Sequence, residues 1–340
     1  PDVEVYPNEM FTAPPFPEHK IYAVKDPLWP RSATNHRGKD VLPLILNRDR
    51  RYPTFKRLSY DGLAELHWLT LDLGDLSQAE QIVLYLTGWI YWANSSVVIA
   101  VSQNPQHEFI GPYLQVVNQK GEWVTVLDDI GLPTSKELTV PIDLTHKFLT
   151  NDYKVRIVTN LCLYWDQIFI ATADYADQLR VREMLPAGAD LHYRGFSEMT
   201  RDSLGFEVWD YARVQKTGPW GQHRGWYTEY GDVLELLQTP DDKYVIIGPG
   251  DELTLLFDAT HAPPPPPGYS RDFIFYANGW VKDGDLNTKY SLTVEPLPFH
   301  GMSGYPYGEN ESYPYDADHK TYIKKYNTRR EADTVGRLSK

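Results

Sequence analysis

The stretch "YKVRIVTNLCLYWDQIFIATA", Tyr153 to Ala173, decides the fold class of this 340-residue chain. It is dense in β-branched and aromatic residues, which suit pleated and half-buried surfaces. It lacks the 3.6-residue periodicity that marks an amphipathic helix. Comparable runs precede it from Leu66 onward, among them "SSVVIAVSQ", Ser95 to Gln103, which we also predict to be a strand, and turn residues separate them. Short strands at regular spacing predict an antiparallel sandwich.

One pair of neighbouring strands can be assigned from the sequence alone. In "YLQVVNQKGEWVTVLDD", Tyr113 to Asp129, the four residues Asn118 to Gly121 separate two runs rich in β-formers. Asparagine and glycine favour tight turns because they tolerate left-handed backbone conformations. This stretch is therefore predicted to form a β-hairpin.

The second half of the chain repeats landmarks of the first half. "DVLPLILNRDRRY", Asp40 to Tyr52, aligns without a gap to "DVLELLQTPDDKY", Asp232 to Tyr244. Each copy is followed by Leu-Thr-Leu and then by Tyr-x-x-Gly-Trp, at residues 69–71 and 85–89 in the first copy and 253–255 and 276–280 in the second. We predict an internal duplication from these three ordered landmarks. Each Asp-Val-Leu is expected to form a short helical turn, and each Gly-Trp to end a core strand.

The duplication leads to a complete prediction of architecture. The chain is expected to be all-β, with two related antiparallel β-sandwiches of jelly-roll or galactose-binding-like type. Residues 1–36, rich in proline and charge, are predicted to form an extended arm or linker. The first sandwich is assigned to residues 37–180 and the second to 181–298. Residues 299–340, rich in tyrosine, proline and glycine, are predicted to form an irregular C-terminal wrap and tail.

Composition argues against several classes of partner. The net charge of −13 repels nucleic acid and anionic lipid, so we expect no nucleic-acid partner. No apolar run reaches the ~20 residues of a membrane span, so no direct membrane insertion is expected.

Cys162 is the single cysteine, which excludes an internal disulfide. Its apolar neighbours indicate a buried core thiol.

The sequence contains one candidate metal site. In "KDGDLNT", the residues Asp283, Asp285 and Asn287 offer oxygen ligands at alternate positions, as calcium loops do. Calcium is therefore the candidate cofactor. An EF-hand-like loop would continue with glycine and glutamate where this chain has Thr288 and Val294. The alternative is an Asp-Gly turn whose side chains cap backbone amides.

Aromatic residues near loops are the candidate ligand-binding residues. Exposed rings stack on sugars or anchor protein partners, whereas buried rings serve only packing. The candidates are Trp92, Trp220, Trp226, Tyr305 and Tyr307.

Signatures of catalysis are weak. "HGMSGY", His300 to Tyr305, resembles a nucleophile elbow, but its second glycine comes one residue early and no strand-turn-helix pattern surrounds Ser303. The pair Asp241-Asp242 follows a predicted strand end, where solvated turns are the usual reason for adjacent carboxylates. We therefore predict no catalytic residues.

Four long stretches carry a resemblance to a known class of protein. They are "YKVRIVTNLCLYWDQIFI", "LHYRGFS", "YGDVLELLQTPDDKYVIIGPGDELTLLFDA" and "FIFYANGWVKDGDLNTKYSLTVEPLPFHGMSGYPYG". Together they resemble the C-terminal part of large bacterial proteins with FG-GAP/VCBS propeller repeats and ASPIC and UnbV-type segments, or with tetratricopeptide repeats. The resemblance implies an exported or cell-surface location and a role in binding or assembly, with no catalytic residues to carry over. This chain lacks the repeats, which fits an excised domain or a separate subunit.

Three functions are compatible with these patterns. The first is a non-catalytic scaffold or protein-binding subunit of a larger extracytoplasmic bacterial assembly, whose partners are other subunits or domains. The second is a carbohydrate-binding module that uses exposed tryptophan and tyrosine. The third is a carbohydrate-active hydrolase, which would need two carboxylates facing each other across a cleft.

Overall fold

The structure is a computed structural model that describes residues 3–11, 20–134, 136–201, 207–260, 262–282, 284–285 and 287–331. Within this part the chain is all-β with antiparallel sheets, as the sequence predicts. It divides into two compact units. The first unit comprises Pro1–Val181 and Pro265–Ile274, and the second comprises Arg182–Pro264 and Phe275–Lys340.

Among its described residues, the first unit holds ten strands and one α-helix. The strands are β1 (Glu4–Pro7), β2 (Ile21–Val24), β3 (Ser32–Asn35), β4 (Leu63–Asp72), β5 (Val83–Ile90), β6 (Tyr113–Val117), β7 (Trp123–Leu127), β8 (Leu138–Asp143), β9 (Lys154–Leu161) and β10 (Leu163–Ala171); the helix is α1 (Ser95–Ser102). Five strands pair in the order β3-β4-β9-β6-β7 and three in the order β10-β5-β8, and a further two, β1 and β2, form a hairpin.

Two of these sheets enclose the core of the first unit. The five-stranded sheet contributes fully buried side chains such as Leu71, Leu114 and Ile157, and the three-stranded sheet contributes Leu84 and Ile168. Their side chains alternate along each strand, because successive residues of a strand face opposite sides of the sheet. The first unit is therefore a sandwich of five strands against three.

The hairpin of β1 and β2 explains why β10 is apolar on both faces. Ile168 faces the core, whereas Phe169 faces outward and packs with Tyr85, their rings stacked 4.7 Å apart. Tyr6 and Tyr22 from the hairpin cover these two rings. A strand buried on both faces reads as a continuous apolar run instead of an alternating one.

The N-terminal strands correct the predicted arm of residues 1–36. The described residues of this segment form β1, β2 and β3, and β3 pairs with β4 at the edge of the five-stranded sheet. Proline and charge obscured the pattern because these strands are only four residues long. Residues 265–274, assigned by sequence to the second sandwich, also cluster with the first unit.

The hairpin predicted from "YLQVVNQKGEWVTVLDD" is confirmed. Strands β6 and β7 pair antiparallel, and Gly121 adopts a positive φ of 78° at the turn. Its amide donates to the Asn118 carbonyl at 3.0 Å. A residue with a side chain would strain this left-handed conformation.

The run "SSVVIAVSQ", which sequence patterning assigned to a strand, forms α1 instead. Asn94 caps its first turn, since its side chain accepts a hydrogen bond from the Val97 amide at 2.9 Å. Valine and isoleucine disfavour helices only weakly, so an N-cap and local packing suffice to override their preference.

In the described part of the second unit there are seven strands and one α-helix. The strands are β11 (Gly188–Tyr193), β12 (Phe196–Arg201), β13 (Glu207–Gln215), β14 (Gly225–Tyr227), β15 (Gly231–Asp232), β16 (Asp251–Leu256) and β17 (Arg329–Glu331); the helix is α2 (Ala317–Tyr326). They form a three-stranded sheet in the order β15-β11-β16 and two ribbons, β12-β13 and β14-β17. Neither helix in the described part of the chain combines the length and apolar character that a bilayer crossing requires.

Helix α2 and strand β17 correct the predicted irregular wrap of residues 299–340. Asp316 caps the helix by accepting from the His319 amide at 2.9 Å, and Lys324 and Lys325 occupy its last turn. Both ends therefore complement the helix dipole. Tyr322 is buried in the core of the second unit, so tertiary contacts hold a helix whose sequence is mostly polar.

The first landmark of the proposed repeat has the same local structure in both units. Asp40 and Asp232 each accept a hydrogen bond at 2.9 Å from the amide two residues later, and each precedes a short 3-10 helix, Leu42–Leu44 or Leu234–Leu237. Arg50 and Asp242, which align in sequence, have φ values of 60° and 63°.

The third landmark differs between the units. Residues 85–89 lie inside β5, which pairs with β8 on one side and β10 on the other. Residues 276–280 belong to no strand, and Phe275 and Tyr276 are exposed. The predicted core strand is thus not seen there, because no neighbouring strand lies alongside it among the described residues. Internal duplication stays a prediction.

Candidate functional site

The predicted metal loop is only partly described. Asp283 lies outside the described residues. Asp285 Oδ1 accepts a hydrogen bond from the Asn287 amide at 2.9 Å, which is the turn contact that the alternative interpretation expected. Within the described ranges, no group of three or more histidine, cysteine, aspartate or glutamate side chains converges on a common point. Calcium binding stays a prediction.

The five aromatic candidates differ in their accessibility. Trp92, Trp220 and Trp226 are exposed, whereas Tyr305 and Tyr307 are half-buried. Trp92 belongs to the first unit and the other four to the second. Tyr305 and Tyr307 meet edge to face with ring centroids 6.1 Å apart, and the Tyr305 hydroxyl donates to the Pro296 carbonyl at 2.8 Å. These two rings therefore also serve local packing.

Trp220 belongs to an exposed apolar area that we call the hairpin surface. It comprises Trp209 and Tyr211, which lie two residues apart on β13, together with Trp220. The indoles of Trp209 and Trp220 lie 6.0 Å apart with an interplanar angle of 26°. Arg213 borders this area and forms ion pairs with Glu198 and Asp210 at 3.1 and 3.4 Å. An apolar centre with a charged rim is typical of protein interfaces.

A second feature of the second unit is a hydrogen-bonded cluster around Asp242. Its Oδ1 accepts from the Tyr244 hydroxyl at 2.6 Å, from the His300 amide at 2.9 Å, and lies 2.6 Å from His300 Nδ1. Burial by itself would raise the pKa of Asp242, but the hydrogen bonds from Tyr244 and His300 outweigh it and hold that pKa below its ordinary value. Asp242 is therefore an ionised acceptor at neutral pH.

Two further side chains extend this cluster to the surface. Trp280 Nε1 donates to the Tyr244 hydroxyl at 3.1 Å, and His300 Nε2 lies 3.1 Å from Asn278 Oδ1. The Trp280 and His300 rings meet edge to face with centroids 5.8 Å apart. Tyr313, buried below them, donates its hydroxyl to the Asp242 carbonyl. The cluster thus joins an aromatic face and polar groups through one carboxylate.

This cluster is not predicted by the sequence. The sequence places Asp242 in a solvated turn, Trp280 in a core strand and His300 in a motif that resembles a nucleophile elbow. Ser303 of that motif instead donates to Glu311 Oε2 at 2.7 Å. One signal was available: Asp242 occupies the repeat position that is Arg50 in the first copy, so a charge of opposite sign sits on the same left-handed turn.

The aromatic rings of the first unit are largely used within the fold. The Arg156 guanidinium lies 5.0 Å from the Trp68 ring and 4.1 Å from the Trp123 ring on the outer face of the five-stranded sheet. Such cation–π stacks occupy the ring faces that a ligand would need. Trp89 likewise stacks on Tyr164 with centroids 4.7 Å apart. The first unit therefore offers fewer open ring faces than its composition suggested.

Cys162 is expected to be unreactive in the folded protein. Its side chain is buried, and burial raises the pKa of the thiol to about 11. At pH 8 the thiolate is a minor species, so we expect no measurable reaction with Ellman's reagent without denaturant and one thiol per chain with it. A fast stoichiometric reaction of the folded chain at pH 8 would contradict this placement.

Comparison with protein-family models, with curated proteins and with solved structures finds no match to this chain.

Proposed function

We propose that this chain is a non-catalytic module that binds a protein partner through the hairpin surface. The observation that carries the proposal is the exposure of apolar side chains on β13, led by Tyr211 at 73%. Large exposed apolar patches are uncommon on monomeric proteins and mark interaction sites. Burial of this patch in a complex would recover the hydrophobic free energy that the isolated chain forgoes.

The pairing of β12 and β13 adds a second argument. These strands pair only with each other in the described structure, so each has an edge that no described strand occupies. An isolated two-stranded ribbon is marginally stable in water, and a third strand or a packed surface stabilises it. A partner can supply that strand by β-augmentation, with side-chain pockets providing specificity. Stacked Trp209 and Trp220 would then act as rigid anchors, since aromatic residues dominate binding hot spots.

The resemblance noted in the sequence suggests the nature of this partner. We propose another subunit or domain of a larger extracytoplasmic bacterial assembly. Support comes from the four resembling stretches and from the net charge of −13, which disfavours nucleic acid and anionic membranes as alternatives.

A photocrosslinking experiment tests this function. With p-benzoylphenylalanine in place of Tyr211, we expect one discrete crosslinked protein in cells that naturally express the chain. The matched control places the same residue at Leu149, which is 48% exposed and belongs to the first unit. Loss of the adduct at Tyr211, or the same adducts at both positions, would contradict a docking role for the hairpin surface.

A further inference from the structure

We propose that Trp280, Asn278 and His300 form a binding site for a neutral saccharide, which we call the Trp280 site. It uses residues outside the hairpin surface and does not depend on the proposed protein partner. All three residues belong to the second unit. Trp280 is 40% exposed and the His300 side chain is 42% exposed, so both can contact a ligand from solvent.

The indole of Trp280 provides the apolar part of the site. The C–H-rich face of a pyranose packs well against a flat aromatic ring. Here the ring is held in one orientation, because Nε1 donates to Tyr244 and the ring edge meets His300. Sites for small molecules combine such an aromatic surface with a few placed polar groups.

Asn278 and His300 provide the polar groups. Asn278 is exposed, and its amide offers both donors and acceptors, as a vicinal pair of sugar hydroxyls requires. His300 Nε2 lies 3.1 Å from Asn278 Oδ1, which holds the two planar side chains together at the edge of the indole. A saccharide on the Trp280 ring would therefore meet hydrogen-bonding groups along one side.

Asp242 acts as the positioning residue of the site. Trp280 donates to the Tyr244 hydroxyl, which donates to Asp242 Oδ1. Asn278 contacts His300, whose Nδ1 contacts the same oxygen. Its side chain is only 17% exposed, so we assign it no ligand contact. Groups held in place before binding lose less conformational entropy on binding, which increases affinity.

The charge of the chain selects the class of saccharide. With a net charge of −13, the protein repels uronic and sialic acids over the range that electrostatic screening allows. A neutral hexose polymer carries no such penalty. The chemistry of the site, an indole beside an amide and an imidazole, therefore fits neutral glycans.

Isothermal titration calorimetry with maltohexaose, cellohexaose and mannohexaose tests the proposal. We expect at least one to bind, and we expect Trp280→Ala to weaken that binding about tenfold, as loss of an aromatic contact does. The matched control is Tyr193→Ala, because Tyr193 is 52% exposed in the same unit but lies outside the site. Absence of binding by all three sugars, or equal weakening by both variants, would overturn the site.

Variants of Asn278 and Asp242 separate binding from folding. Asn278→Ala removes an exposed side chain, so it carries the test if Trp280→Ala does not fold. Asp242→Ala is expected to weaken binding about tenfold, and Asp242→Asn to restore most of it, because an amide oxygen still accepts from Tyr244. Equal losses in both Asp242 variants at unchanged melting temperature would contradict the positioning role. The crosslink at Tyr211 is a separate readout, so failure of either proposal is distinguishable from failure of the other.

Discussion

Replacing Asp251 by alanine is expected to destabilise the second unit by about 3–5 kcal/mol, because it leaves a buried charge without its partner. The Asp251 side chain is 2% exposed and that of Arg329 is 13% exposed, with Oδ2 and Nη2 2.6 Å apart. The Tyr230 hydroxyl and the Gly248 amide also donate to this carboxylate, each at 2.8 Å. Three donors therefore lose an acceptor in one substitution.

The effect of Asp251→Ala is best measured as the urea midpoint of unfolding, together with hydrogen exchange of β14 and β17. Arg329 lies in β17, so this ribbon is expected to lose protection first. The control is Glu207→Ala, which removes an exposed ion pair with Arg201 at 3.2 Å and should cost less than about 1 kcal/mol. Similar losses of unfolding free energy in both variants would show that the Asp251–Arg329 pair stabilises the protein no more than an exposed ion pair does.

Acidification is expected to destabilise the first unit through His67. This side chain is 8% exposed and its ring stacks on Phe55 at 4.3 Å. Burial lowers the pKa of His67 from its ordinary 6.5 to about 4, although the Glu65 carbonyl partly opposes the shift. Because the pKa of His67 is lowered in the folded state, the neutral side chain makes its full contribution to the free energy of unfolding above pH 6.5. That contribution is lost as the pH falls through about 4. The loss amounts to about 3 kcal/mol.

Urea denaturation at several pH values between 7 and 4 measures this dependence. In His67→Asn, the amide nitrogen can still donate to the Glu65 carbonyl, but no group titrates there. We expect the variant to lose less stability than the wild type over this range. His192→Asn is the control, because the His192 side chain is 40% exposed and lies in the second unit. Parallel pH curves for His67→Asn and the wild type would refute the assignment.

Several elements follow from local sequence alone. The strands β9 and β10, the hairpin around Gly121 and the two Asp-Val-Leu turns all appear where the sequence predicts them. Each depends on interactions within a few residues: side-chain periodicity, a left-handed glycine, or an aspartate that caps a nearby amide. These interactions lie within the segment itself, so predicting the element requires no knowledge of distant contacts.

The candidate sites are a different case. Trp220 was identified from its loop and is exposed, as a binding residue should be. The stacking partner Trp209 lies in strand β13 and is not among the aromatic candidates. Asp242, Trp280 and His300 come from three separate segments, and each had an ordinary explanation in isolation. Only their hydrogen bonds in the folded chain unite them.

Local sequence is therefore enough to specify the fold class, an all-β chain with antiparallel sheets, because alternation and turn residues are local properties. Long-range contacts determine that "SSVVIAVSQ" is helical, that the N-terminal segment covers β10, and that residues 276–280 lie outside any described sheet. These outcomes depend on which surfaces meet. The free energy of burial is shared among residues far apart in the chain, so no window of sequence contains it.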